Sequence, residues 1–203
     1  LVLTMTGIVC EPSAEAKLVE TQAAQTAACE ELNGDNIGKE GYAYWASTIG
    51  SYLCDEGSEG LMRVQYDSES NQLGVSYYNK DSYQLEQYTD IAVELPVFGG
   101  FYEGPGAYFV VSGQNNPDES DETEVIRITK YDKQWNRIAS SSLYGANTYE
   151  PFEAGSLRMT DDGTYLFVKT CHTMYAADDG KHHQANVTIQ ADMNKMEITD
   201  SYT

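Results

Sequence analysis

Three segments of this chain can be laid over one another. LMRVQYDSESNQLGV from Leu61, IRITKYDKQWNRIAS from Ile126 and VTIQADMNKMEITDS from Val187 each run as an alternating stretch, an aspartate, a few polar residues and a second alternating stretch. The aspartates are Asp67, Asp132 and Asp192, and six residues beyond each stands an aliphatic residue, Leu73, Ile138 or Ile198. Upstream, a glycine opens an aromatic stretch in every copy: GYAYWAS at Gly41, GAYFVVS at Gly106 and GTYLFVK at Gly163. From glycine to aspartate is 26, 26 and 29 residues. Such self-similarity predicts one supersecondary unit used three times and stacked so that neighbours cover each other's apolar faces.

Period-2 alternation, β-branched and aromatic residues and Asp/Gly punctuation make the unit β rather than helical. Four strands, A to D, are expected in each. In the third copy they are SLRMT, TYLFVKT, ANVTIQA and MEITD, with turns at residues 161–163 and 193–195 and a longer loop between B and C. The aspartate before each C–D turn can accept hydrogen bonds from turn amides, a structural reason for its recurrence. Four antiparallel strands recurring every 57 to 65 residues are the layout of a β-propeller blade. The expected fold class is all-β, with about three four-stranded antiparallel blades of a partial propeller; a β-sandwich is the alternative. Propellers close with about four to eight blades, so partners are expected from further sequence or another chain.

The repeat region is expected over residues 41–203, in units of about 41–97, 98–154 and 155–203. Residues 17–40 read as a spacer, because Leu18 and Val19 are its only large apolar residues before Leu32. Residues 1–16 read as the remnant of an export signal: an apolar run over residues 1–9, then the small-x-small triplet Ala14-Glu15-Ala16. With no initial Met and no basic segment, the true start is expected upstream. Cys10 offers a competing reading as a lipidated cysteine, against which stands Val9 in place of a small residue. Of the remaining cysteines, Cys29, Cys54 and Cys171 are an odd set that matches no metal motif; Cys29 with Cys54 is the pairing to test. No later run is apolar enough to cross a bilayer as a helix.

Charge narrows the partners. Twelve basic residues against 32 acidic ones give a formal net charge of −20, which repels nucleic-acid phosphates and anionic membranes. Nucleic acid is therefore not an expected ligand. There is no phosphate-cradling glycine loop, no G-x-S-x-G elbow and no H-E-x-x-H.

The three histidines fall in TCHTMYAADDGKHHQAN, residues 170–186. With strand B ending near His172 and strand C starting near His182, they would flank one loop and face each other across the hairpin mouth. Three readings stay open. His172, His182 and His183 with Asp178 and Asp179 are ligand types that zinc accepts. His172 or His182 could serve as a general acid or base. Or the polar residues close the loop, with a histidine on Tyr175 or bonded through Gln184 and Asn186. Calcium is a further candidate at the acids of the second copy's loop, QNNPDESDETE, residues 114–124, although EF-hand order is missing. The first copy's equivalent loop is expected over residues 49–60. Tyr77, Tyr78, Tyr83, Tyr88 and Tyr144 could stack on sugars or pack between blades, packing being the commoner use of such tyrosines.

The hairpins with Tyr66-Asp67 and Tyr131-Asp132 before a polar turn, together with the Gly-x-Tyr strands, resemble blades of bacterial exported β-propellers, and the His-bearing segment resembles surface proteins of Gram-positive bacteria. The resemblance covers residues 41–203. It implies a secreted or cell-surface bacterial location, and it implies that the B–C and D–A loops form the binding face. On that face His172, Tyr175, His182, His183, Gln184 and Asn186 are the expected ligand-binding residues. The expected function is a binding module for carbohydrate, peptide or a partner domain. The alternative is an extracellular propeller enzyme, hydrolase or transferase, or a metal-binding protein using the histidines.

Overall fold

The computed structural model describes residues 48–153 and 157–202. The export signal, Cys10, Cys29 and the strand expected at Gly41 lie outside them. Among the described residues there is no α-helix, and regular structure is almost entirely β. The chain builds three antiparallel sheets in succession. The first is β1 (Ser51–Asp55), β2 (Leu61–Asp67), β3 (Gln72–Tyr78) and β4 (Leu85–Ala92). The second is β5 (Val97–Gly104), β6 (Ala107–Gly113), β7 (Glu124–Tyr131) and β8 (Arg137–Tyr144). The third holds β9 (Thr148–Pro151), β10 (Arg158–Asp161), β11 (Tyr165–Ala176), β12 (His182–Asp192) and β13 (Glu197–Tyr202). Strands pair in chain order, except that β9 and β10 share one side of the long β11.

The sheets stack, with the second in the middle. Its central strand β6, AYFVVSG, is buried at every position, and successive residues feed different cores because side chains alternate across a strand. Phe109 and Val111 join Ile126, Ile128, Leu166, Val168, Val187 and Ile189 between the second and third sheets. Tyr108 and Val110 join Met62, Val64, Leu73, Val75, Phe98 and Trp135 between the first and second. Each large apolar side chain so buried contributes about 1.5–3 kcal/mol. The outer sheets need only one apolar face. In β2 the inward Met62 and Val64 alternate with Arg63 and Gln65; in β11 Leu166 and Val168 alternate with Phe167 and Lys169.

Glycines make the core between the second and third sheets fit. A Cβ on Gly99 would stand 2.7 Å from the Phe152 ring, and one on Gly113 would stand 2.6 Å from the Val125 carbonyl and 2.9 Å from that ring. Phe152, buried and at φ +61°, thus drives its ring into a slot that only two residues without side chains leave open.

The stack has two ends. One carries the tight β1–β2, β3–β4, β5–β6, β7–β8, β10–β11 and β12–β13 turns, tied between sheets by Trp135 Nε1 donating to the Tyr77 hydroxyl (2.9 Å) and Lys130 Nζ donating to the Met193 carbonyl (2.8 Å). The other carries the β2–β3, β6–β7 and β11–β12 connections and the passages between sheets; it is called the loop end below.

The first copy of the sequence repeat is corrected by this topology. The segment expected to be a loop over residues 49–60 contains β1, which pairs with β2 from Ser51↔Gln65 to Asp55↔Leu61. The hairpin around Asp67 therefore joins the second and third strands of its sheet and sits at the loop end, whereas those around Asp132 and Asp192 join the last two strands of theirs at the opposite end. What the three aspartates share is turn chemistry. Asp67 accepts from the Ser70 hydroxyl and the Glu69 amide, Asp132 from the Gln134 and Asn136 amides, and Asp192 from the Asn194 and Lys195 amides. That chemistry marks a tight hairpin without saying which of the sheet's hairpins it is.

Candidate functional site

The loop end is built where the second and third sheets meet. The β6–β7 loop, residues 114–123, leaves the middle sheet and is captured by the third. Asn116, with 1% of its surface exposed, donates through Nδ2 to the Ser120 carbonyl and to the Tyr175 hydroxyl, 2.9 Å away, while its backbone amide donates to the Tyr149 carbonyl. Glu119 Oε1 accepts the Ala176 amide at 2.9 Å, and the Tyr175 hydroxyl lies 3.4 Å from Asp121 Oδ1. The loop is thus cross-bonded to the tip of β11. Burial, then the charge of Asp121, raises the Tyr175 hydroxyl above its ordinary pKa. The exposed Asp118, Asp121 and Glu122, with Asp178 and Asp179 on the facing hairpin, make the surface electronegative.

The histidines are close in sequence and differ in surroundings. Strand β11 does not end near His172. It continues to Ala176, so the β11–β12 turn is only residues 177–181, and His172 pairs with Ala185 in mid-strand. It has no exposed surface. The Thr148 hydroxyl donates to the Ala146 carbonyl, so at 2.7 Å it must accept from His172 Nδ1; Nε2 then carries the lone pair and has no partner among the described residues. Burial lowers the pKa of this imidazole. The side chain is enclosed between strands rather than presented at the hairpin mouth.

His182 stacks on Tyr149 with ring centroids 3.9 Å apart, donates from Nδ1 to the Met174 carbonyl at 2.9 Å and lies 3.7 Å from Glu119. His183 Nε2 donates to Asp179, 3.1 Å away. The three imidazoles therefore do not converge, and among the described residues no group of three His, Cys, Asp or Glu side chains is placed to hold a metal. Asp178 is exposed in the turn. Gln184 and Asn186 lie on the exposed outer face of β12. Among the described residues Cys54 and Cys171 form no disulfide, and the expected partner Cys29 lies outside them; burial, then a hydrogen bond to Glu103, pushes the Cys54 thiol up to about 12.

Sequence reasoning placed the acids of residues 114–124 at the loop end and missed how they are held. Asn116 and Glu119 are the organising residues, and nothing local marks them, since their partners Tyr175 and Ala176 are 59 and 57 positions away. Of the tyrosines, Tyr77 packs against the core between the first two sheets, whereas Tyr83, Tyr88 and Tyr144 are exposed at 68%, 39% and 55%. No helix among the described residues is long and apolar enough to cross a membrane. No protein-family model matches the chain, and neither does any curated protein sequence.

Proposed function

We propose that the three sheets are propeller-type blades and that the protein is an exported binding module whose loop end engages a basic peptide or the basic surface of a partner domain. The blade reading is supported by three successive sheets of antiparallel strands and by their stacking, which brings β10 beside β5 and β13 beside β8, edge strand beside edge strand.

The binding reading is carried by one observation: the acidic β6–β7 loop is fixed in place by Asn116, Glu119 and Tyr175. A loop held this way presents its carboxylates without having to be ordered when a partner arrives, which lowers the entropic cost of association. Its charge complements a cation-rich surface, speeds encounter and rejects acidic competitors.

The test uses side chains that point to solvent and play no part in holding the loop. Asp118→Asn, Glu122→Gln and Asp178→Asn combined should leave the melting temperature unchanged and weaken binding of a Lys/Arg-rich peptide, followed by calorimetry, by about tenfold or more. Equal binding by the wild type and the triple variant would sink the proposal.

A further inference from the structure

At the opposite end, between the first and second sheets, lies an open cleft of about 390 Å³. It is lined by Tyr77 of β3, by Trp135 of the β7–β8 turn, buried but for an edge, and by Glu86, Gln87, Thr89, Lys133 and Gln134. We propose that this cleft is a second binding site, separate from the loop end, and that its ligand is a neutral saccharide.

The aromatic side of the cleft is rigid. Trp135 stacks on Tyr108 at 4.6 Å and on Phe101 at 5.7 Å, and its N–H is taken by the Tyr77 hydroxyl. Its backbone stands at φ +62°, a region that bulky residues rarely occupy and that persists only where the surroundings impose it. Asp132 does so by accepting the amides on either side, Gln134 at 2.9 Å and Asn136 at 2.8 Å. The turn therefore holds the indole in the cleft lining at a local conformational cost.

Charge on the rim decides the ligand class. Lys133 is the one cation in the lining, and it is already engaged: its Nζ lies 2.6 Å from Glu103 and 3.7 Å from Glu56, and 4.2 Å over the Tyr108 ring. An anion entering the cleft would have to displace two carboxylates and would meet Glu86. A cation would find Glu86 bonded to the Asn79 amide, with the Lys133 ammonium in the same cleft. The groups left without a hydrogen bond among the described residues are the side chains of Gln87, Thr89 and Gln134, all uncharged and each able both to donate and to accept. Uncharged two-way hydrogen-bonding groups that share a lining with Tyr77 and Trp135 match a pyranose ring, whose hydroxyls need both donors and acceptors and whose C–H face is apolar. The volume lies in the range of small-ligand sites, about 300–1,000 Å³.

The probes are soluble neutral gluco-, manno-, galacto- and xylo-oligosaccharides, titrated into the full chain by calorimetry and by tryptophan fluorescence. At least one should bind and change the fluorescence. The variant Gln87→Ala/Gln134→Ala, altered only at exposed side chains, should lose about tenfold or more in affinity at an unchanged melting temperature, and Thr89→Ala should weaken binding without abolishing it. The loop-end triple variant should bind the sugar as the wild type does, and the Gln87/Gln134 variant should keep wild-type affinity for the basic peptide. Failure of all four sugar series, sugar binding that survives the Gln87/Gln134 change, or preference for a sulfated or uronic-acid oligosaccharide would each overturn the proposal. A sugar lost only in the loop-end variant would do so too, while leaving the loop end a binding surface.

Discussion

The imidazole of His172 is the residue whose chemistry is most sharply defined. It is enclosed, its Nδ1 proton is committed to Thr148, and its Nε2 has no partner among the described residues. Protonating Nε2 would bury an uncompensated charge, so the folded-state pKa lies below the ordinary value of about 6.5. The unfolded chain then takes up a proton at higher pH than the native one. Stability is full above about pH 6.5 and falls as pH drops from there toward the folded-state pKa. Denaturant titrations at about pH 7 and about pH 5 should show this loss in the wild type, and a His172→Gln variant should show a smaller one; equal pH dependence would remove His172 as its source. The carboxylates act in a separate window. Asp132, held down first by Asn136, and Asp192, held down first by the Lys195 amide, stabilise above their unfolded values near 4 and lose that contribution only below them. Thr148→Val should cost about 1–3 kcal/mol, because it strips the only partner from a buried donor. None of this was legible in TCHTMYAADDGKHHQAN. The sequence spacing marks a hairpin, but whether a histidine belongs to its tip or its middle depends on how far β11 continues, and strand length is fixed by pairing with β9 and β12.

At the scale of elements, strand identity was readable and strand placement was partly so. The alternation in IRITKY and VTIQAD, and the aspartate that ends each, gave β7, β12 and the hairpins that follow them. The Asp67 hairpin looks the same and sits at the other end of its sheet, because hydrogen-bonding turn amides is a local act that any hairpin can use. The apolar run AYFVV that opens β6, against the half-polar LMRVQYD, does carry the missing information, since a strand buried on both faces lacks the polar alternation of a strand buried on one. The slot for Phe152 makes a prediction at this scale. Gly113→Ala should destabilise by about 1–3 kcal/mol by overpacking, and Phe152→Leu combined with it should recover part of the loss, measured as a double-mutant cycle in denaturant. Strict additivity would mean the ring and the added methyl do not meet.

At the scale of the molecule, the stack separates two surfaces of different character. The loop end is acidic and cross-bonded between the second and third sheets, and the cleft lies between the first and second at the other end. A charge network ties the β4–β5 passage to the middle sheet: Glu94 receives Arg127 at 2.9 Å and Arg137 at 2.5 Å, and Arg127 also meets Glu124 at 2.5 Å. Hydrogen bonds from Arg137 and Arg127 hold Glu94 and Glu124 below the usual carboxylate range. The sequence declared the net charge of −20 but not its division between ends, which follows only once the chain is folded into sheets. The most direct measurement is the affinity of a Lys/Arg-rich peptide as ionic strength rises from about 10 mM to about 300 mM, across which screening shortens from about 30 Å to below 10 Å. An electrostatic loop end predicts affinity that falls steeply with salt in the wild type and weakly in the Asp118→Asn, Glu122→Gln, Asp178→Asn variant. Salt-independent affinity, or parallel slopes for the two proteins, would contradict it.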